Sequence, residues 1–136
     1  MTEQRDVLSE IMSRPVVTIG GGKTVADALR VMAERRIGAV VVADDGRPAG
    51  IFTERDLVNH LLDDGDLLAR SLDETMSSPL VTATPDTPID VAFELMRERD
   101  IRRLPVVEDG ALLGIVTERD LMGWVDRVAH APAPSD

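Results

Sequence analysis

Apolar and polar residues follow two different rhythms along this chain, and each rhythm occurs twice. In residues 25–33 and 89–96, apolar side chains recur at intervals of three and four positions, which is the spacing of an amphipathic helix. Short apolar runs typical of strands lie at residues 16–19, 39–43, 80–83 and 104–107. The same order of elements is therefore expected twice.

The two halves of the chain are related by a repeat of the sequence itself. The octapeptide GIFTERDL at 50–57 recurs as GIVTERDL at 114–121, with Phe52 replaced by Val116 and an offset of 64 residues. The same offset aligns the two copies without a gap from residue 12 to residue 57. Duplication of one fold unit, with its loop lengths retained, explains this most simply.

Each copy predicts the order strand, helix, strand, strand, helix. The second and third strands are joined by Asp45-Gly46 in the first copy and by Asp109-Gly110 in the second, and this dipeptide is typical of tight hairpins. In both copies the last helix is expected to begin at the TERD tetrapeptide.

The first helices of the two copies differ in their capping signals. In the second copy Thr87 is expected to be the N-cap, with Pro88 in the first turn and Asp90 at an acidic third position. The first copy begins less clearly, with either Thr24 or Lys23 as the cap.

The predicted fold is of the α/β (α+β) class and consists of two tandem β-α-β-β-α repeats. We expect repeat 1 at residues 7–63, a linker at 64–75 with a short helix near 67–72, repeat 2 at 76–130, and a disordered tail at 131–136. One unit of this size would be marginal alone, because small domains bury too little surface. The two repeats are therefore expected to pack sheet to sheet with pseudo-two-fold symmetry.

Composition excludes several classes of function. The 136 residues contain no cysteine, which removes disulfides and thiolate metal sites. The formal charge of −10 and the scarcity of aromatic rings argue against nucleic acid as a partner. The longest apolar run, residues 37–43, is too short to span a bilayer. We expect a cytoplasmic protein with no direct membrane insertion.

The histidines offer no catalytic pattern. His60 and His130 are the only two, and the repeat offset does not relate them, so neither a metal site nor a shared catalytic role is expected. Both are expected on helix surfaces. No serine or threonine has a histidine partner in a repeated motif, and the sequence therefore predicts no enzyme.

Three repeated features together resemble a tandem pair of cystathionine β-synthase (CBS) domains, or Bateman module, over about residues 7–130. They are the MSxPxVT segment at 12–18 and 76–82, the Asp-Gly hairpin, and the GI(F/V)TERDL octapeptide. The resemblance implies a stand-alone regulatory module that requires no cofactor. It implies binding of AMP, ADP, ATP, S-adenosylmethionine or NAD in the cleft between the repeats, and pairing into a disc-shaped homodimer.

The threonine and aspartate of each octapeptide are the first candidate ligand-binding residues. A helix N-terminus after a strand offers unpaired N–H groups, and a carboxylate there can accept both hydroxyl hydrogens of a ribose. In the resembled family the matching residues do this, which assigns Thr53, Asp56, Thr117 and Asp120 to ribose. The alternative is that Thr-x-x-Asp simply caps the helix, and both roles remain open for the same residues.

The two expected sites differ at their phosphate end. Arg102 and Arg103 precede the strand at 104–107, whereas the first copy has glycine and alanine there. The resemblance implies that these arginines meet phosphate, although they could equally solvate a strand end. Pro105 would press on the adenine. The remaining pocket residues would be Val17, Thr18, Val81 and Thr82.

Two function classes follow. The first is a ligand-sensing module that transmits its state to an unidentified effector protein in trans. The alternative is a scaffold without ligand that works through dimerisation alone, interacting with a transporter or enzyme in trans.

Overall fold

The computed structural model describes residues 6–130, so the predicted tail at 131–136 lies outside the described residues. The helices and strands confirm the mixed α+β class, and the predicted order is complete in the first repeat. Their bounds are β1 Thr18–Ile19, α1 Val25–Arg35, β2 Ala39–Asp44, β3 Arg47–Thr53, α2 Glu54–Leu61, α3 Leu72–Thr75, α4 Ile89–Arg99, β4 Arg103–Glu108, β5 Ala111–Thr117 and α5 Glu118–Ala129. The segment between the repeats contains α3 and a 3₁₀ turn at Leu67–Ala69, as predicted for a short helix near 67–72.

The chain divides into two compact units that do not coincide with the sequence repeats. The first-repeat unit comprises residues 16–81 and 109–112. The second-repeat unit comprises, within the described residues, 6–15, 82–108 and 113–130. The opening segment of each sequence repeat therefore belongs to the compact unit of the other repeat.

Short antiparallel bridges attach these opening segments. Ser77 pairs with Ile51 on β3, and Ser13 pairs with Ile115 on β5. Both backbone hydrogen bonds are present in each bridge, at 2.8 and 3.1 Å for Ser77 and at 2.9 and 3.1 Å for Ser13. The repeat boundaries predicted from the sequence therefore mark the duplicated segments of the chain, and the compact units have different boundaries.

The first-repeat unit contains a three-stranded sheet in the order β1-β2-β3, with β1 parallel to β2 and β2 antiparallel to β3. One face packs against α1. The buried core on this side consists of Val25, Ala28, Met32, Val40, Val42, Phe52, Leu67 and Leu72.

The second-repeat unit departs from the prediction of three strands. Only β4 and β5 form its sheet among the described residues, and the expected first strand is reduced to a single parallel bridge between Ala83 and Val106. In the first repeat, the N–H of Val41 donates to the carbonyl of Val17 at 3.2 Å. Its counterpart Pro105 has no N–H, so this rung of the ladder cannot form.

The two hairpins are confirmed. Asp45 and Gly46 have φ values of 54° and 77°, and Asp109 and Gly110 have φ values of 53° and 80°. Positive φ at both central residues is the signature of a type I′ turn, which follows the twist of the flanking strands.

The expected contrast between the two helix starts is wrong in direction. Thr24 caps α1 in a complete capping box, in which its hydroxyl accepts the Asp27 N–H at 3.1 Å and Asp27 accepts the Thr24 N–H at 3.0 Å. By contrast, α4 begins after Pro88 without a side-chain cap. The Thr87 hydroxyl instead accepts the N–H of Thr84 at 3.1 Å, because the preceding turn recruits it.

A glycine begins each repeated octapeptide because the opening segment of the other repeat crosses it closely. A Cβ added at Gly50 would lie 2.5 Å from the sulfur of Met76 and 2.8 Å from the carbonyl oxygen of Ser77. At Gly114 the corresponding distances are 2.8 Å to Met12 and 3.0 Å to Ser13. No residue larger than glycine fits these crossings without a shift of the crossing segment.

Gly50→Ala should therefore lower the free energy of unfolding by about 1–3 kcal/mol, since the Ser77 backbone must shift. Gly65→Ala is the matched control because nothing lies within 4 Å of its Cβ position, and it should change stability by about 0.5 kcal/mol or less. Equilibrium urea unfolding measures both. Equal stabilities for the two variants would contradict the close crossing.

Candidate functional site

The candidate residues of both copies lie at equivalent junctions between a strand and a helix. Thr53 ends β3 and caps α2, and Thr117 ends β5 and caps α5. Each hydroxyl accepts the N–H of the aspartate three residues later, at 3.2 Å in both copies. Each aspartate in turn accepts the N–H of its threonine at 2.9 Å. The capping role considered for these residues is confirmed in both copies.

Asp56 has a further partner that the capping box does not require. Its second carboxylate oxygen, Oδ1, accepts a hydrogen bond of 2.7 Å from the hydroxyl of Ser77. The Thr53 hydroxyl also donates to Asp56 Oδ2 at 3.1 Å. With both oxygens bonded, Asp56 is only 7 % exposed.

Among the described residues, only one carboxylate oxygen of Asp120 accepts a hydrogen bond. Its Oδ2 accepts the Thr117 N–H. Within residues 6–130 no hydrogen bond joins the hydroxyl of Ser13, the counterpart of Ser77, to this carboxylate. Asp120 is half-buried. The two junctions therefore have equivalent capping boxes. They differ in whether the second carboxylate oxygen accepts a hydrogen bond from a serine hydroxyl.

The sheet of the first-repeat unit separates its candidate residues between two faces. Thr18 lies opposite Val41, and Thr53 lies opposite Ala39, which places both threonines on the same face because alternate residues of a strand share a face. Val17 packs against the core cluster on the other side of the sheet. Of the candidates on this strand, Thr18 is the one that the structure brings to the face of Thr53.

In the second-repeat unit, the register of the strands indicates which of the two arginines lies on the face of Thr117. The N–H of Glu118 donates to the carbonyl of Arg102 at 2.8 Å, as the N–H of Glu54 donates to Gly38 at 3.1 Å in the first copy. This shared bond indicates the same register, with Arg103 opposite Thr117 and on its face.

The side chains of these arginines also differ in their partners. Arg102 lies 3.8 Å from a carboxylate oxygen of Glu118, and both side chains are more than 60 % exposed, at 69 % and 62 %. Such an exposed pair is weak. Within the described part of the chain, no carboxylate forms an ion pair with Arg103, which is half-buried in β4. Arg103 therefore lies beside Thr117 with no carboxylate partner among the described residues.

The remaining candidates occupy the opening segment and strand β4 of the second repeat. Pro105 is buried, Val81 is half-buried and Thr82 is exposed. The bridge between Ala83 and Val106 places Thr82 beside Pro105. Pro105, Arg103 and Thr117 share one face of this sheet by the same alternation.

Ser77 was missed in the sequence because its role depends on a contact with the other sequence repeat. The available signal was the MSxPxVT motif, which places a serine at the same position of both copies. The motif does not reveal which strand its segment crosses.

The described residues contain no group of three or more His, Cys, Asp or Glu side chains that could hold a metal ion. His60 and His130 are exposed on or beside helices, as expected. No helix within residues 6–130 combines the length and the apolar character needed to cross a membrane.

The sequence of the chain matches the profile of the CBS domain twice, at residues 8–63 and 69–127. The chain belongs to the CBS domain family. The resemblance inferred from the repeated motifs is thereby confirmed.

Among its relatives, the chain is 37 % identical over 121 residues to an uncharacterized protein of Methanopyrus kandleri, MK0525, covering 85 % of this chain and 60 % of that protein. It is 32 % identical to the CBS domain-containing protein YhcV of Bacillus subtilis, covering 84 % of this chain and 81 % of YhcV. A homoserine O-acetyltransferase of Methanohalobium evestigatum is 35 % identical, but the chain spans only 24 % of its length.

Solved CBS structures share the fold. The CBS-domain protein ATU1752 of Agrobacterium tumefaciens has a TM-score of 0.83 at 32 % identity, with 88 % of this chain and 99 % of that one covered. The CBS domain pair of protein MJ0100, in complex with 5′-methylthioadenosine and S-adenosyl-L-methionine, has a TM-score of 0.83 at 25 % identity, covering 90 % of this chain and 98 % of that one. A hexameric CBS-CP12 protein from bloom-forming cyanobacteria scores 0.82 at 32 % identity, covering 97 % and 79 %.

Proposed function

We propose that this CBS-domain protein is a regulatory module that binds an adenosine-containing ligand and transmits the bound state to an effector protein in the cytoplasm. The observation that carries the proposal is the junction at Thr117 and Asp120. There, α5 begins directly after strand β5. In its first turn it carries the half-buried carboxylate of Asp120, which accepts no hydrogen bond from the Ser13 hydroxyl among the described residues.

Ribose suits this junction chemically. An ionised carboxylate only accepts hydrogen bonds, so its two oxygens can take the 2′ and 3′ hydroxyl hydrogens of one sugar. The ligands of the MJ0100 pair, 5′-methylthioadenosine and S-adenosyl-L-methionine, both carry such a diol and support an adenosine ligand here. Thr53 and Asp56 form the equivalent but more enclosed junction of the first repeat.

The neighbouring residues favour a ligand with negative charge at the second junction. Arg103 lies on the face of Thr117 without a carboxylate partner in the described residues, and could meet a phosphate of AMP, ADP or ATP. Arg102 is the weaker candidate, because Glu118 lies beside it. Pro105 and Thr82 would border the adenine.

At the first site, fewer of the candidate residues lie on the face of Thr53. Thr18 shares the face of Thr53, whereas Val17 packs against the core on the opposite face of the sheet. The first junction also has no arginine at the positions equivalent to 102 and 103. We therefore propose that the second site has the higher affinity for nucleotides.

Self-association is the second part of the proposal. Apolar side chains are exposed on α2 and just beyond its end, and on α5, where burial in a homodimer would remove them from water. They are Val58, Leu61, Leu62, Met122, Val125 and Val128. The hexameric CBS-CP12 protein supports self-association of this fold. These exposed residues also favour the alternative function, a dimerising scaffold without ligand.

A thermal unfolding screen separates the two functions. The probes are 5′-methylthioadenosine, S-adenosyl-L-methionine, AMP, ADP, ATP and NAD, each at high concentration. A ligand at 100 times its Kd should stabilise the protein by about 2.7 kcal/mol, which raises Tm by several degrees. Guanosine and GTP are the matched controls, because they keep the ribose and the phosphates and change the base. No selective shift with any adenosine compound would contradict the sensor and favour the scaffold.

A further inference from the structure

The hydroxyl of Ser77 occupies the position on Asp56 where a ribose hydroxyl would bind. It donates to Asp56 Oδ1 at 2.7 Å, the length of a strong hydrogen bond to a carboxylate. The other oxygen, Oδ2, accepts from the N–H and the hydroxyl of Thr53. Asp56 thus has partners on both oxygens before any ligand arrives.

The backbone of Ser77 is held rigidly beside this carboxylate. Its N–H donates to the Ile51 carbonyl at 2.8 Å, and its carbonyl accepts the Ile51 N–H at 3.1 Å. Gly50 lets the segment approach, since a Cβ there would lie 2.8 Å from the Ser77 carbonyl oxygen. The serine can withdraw its hydroxyl only by rotating about χ1, without movement of the main chain.

Ser13 is the counterpart of Ser77 at the second junction, and its hydroxyl is bonded differently. Its backbone makes the equivalent two bonds to Ile115, at 2.9 and 3.1 Å. Yet its hydroxyl donates no hydrogen bond to Asp120 within residues 6–130. Since the main-chain pairing is the same in both repeats, the two junctions differ in the hydrogen bonding of the serine hydroxyl and not in the backbone.

We infer that Ser77 is an internal competitor that keeps the first site closed, so that an adenosine ligand must displace its hydroxyl from Asp56 before its own ribose can bind. The inference rests on the proposed function and adds to it the order of filling. The second site fills first, and the first site fills only at higher ligand concentration. A ligand without the 2′ and 3′ hydroxyls cannot replace the lost bond and does not open the first site.

The test isolates the first site by calorimetry with adenosine in an Asp120→Ala background, where binding at the second site is weakened. Adding Ser77→Ala should tighten first-site binding about tenfold, which corresponds to about 1.4 kcal/mol, because the ligand no longer breaks a hydrogen bond to a charged group. Ser77→Thr retains the hydroxyl and should leave the affinity near that of the parent. Far-UV circular dichroism checks that each variant is folded.

Ser13→Ala in an Asp56→Ala background is the matched control, and it should change second-site affinity less than twofold. An unchanged or lower affinity of the first site for adenosine in Ser77→Ala would overturn the inference. If adenosine still binds to the second site, that result leaves the proposed function standing. Failure of the wild-type protein to bind adenosine at all would overturn both.

Discussion

Phe52→Ala should destabilise the protein more than any other single change considered, by about 3–5 kcal/mol. The ring is fully buried at the centre of the first-repeat core, among residues of α1, β2 and α3. Truncation removes its transfer free energy and leaves a cavity that the surrounding side chains fill only in part. Total stabilities of single domains are about 5–15 kcal/mol, so a large share of the fold's stability is at stake.

Equilibrium urea unfolding followed by far-UV circular dichroism measures this loss. Circular dichroism is preferred to fluorescence because the single tryptophan, Trp124, lies in the second-repeat unit. Phe93→Ala removes the same atoms from a half-buried site on α4 and should cost clearly less. Equal losses for the two phenylalanines would contradict the position of Phe52 in the core.

Asp120→Ala should weaken adenosine binding at the second site by at least about 100-fold. Two hydrogen bonds from the ribose diol to a charged acceptor are lost, each worth about 1.5–3 kcal/mol, and about 1.4 kcal/mol corresponds to a factor of ten. Asp56→Ala should cause a smaller loss of overall affinity, because the Ser77 hydroxyl already competes for that carboxylate. Calorimetric titration with adenosine measures both.

The 2′-deoxy analogue sharpens this experiment. In the wild-type protein adenosine should bind more tightly than 2′-deoxyadenosine, and in Asp120→Ala this preference should fall toward one. The double variant Asp56→Ala, Asp120→Ala should remain folded, since the loss of each capping box costs about 1 kcal/mol. Equal affinity losses from the two single variants would remove the claim that the sites differ.

Local signals in the sequence predicted most of the elements. The 3.6-residue apolar period located α1 and α4, and Asp-Gly located both hairpins, because these depend on side chains a few residues apart. The capping boxes at Thr53 and Thr117 are equally local. Errors arose where an adjacent turn competes with the helix for the capping side chain, as at Thr87, or where a strand needs an N–H that Pro105 lacks.

The sequence by itself determined the duplication, the mixed α+β class, the order of the helices and hairpins, and the two Thr-Asp junctions. Each of these follows from the order and spacing of residues along the chain. The tertiary structure decided which opening segment crosses which strand, and so brought Ser77 to Asp56 across 21 positions of the chain. It also distinguished two junctions of the same local sequence, because the hydrogen bond that a serine hydroxyl makes depends on the tertiary packing around it and not on its sequence neighbours.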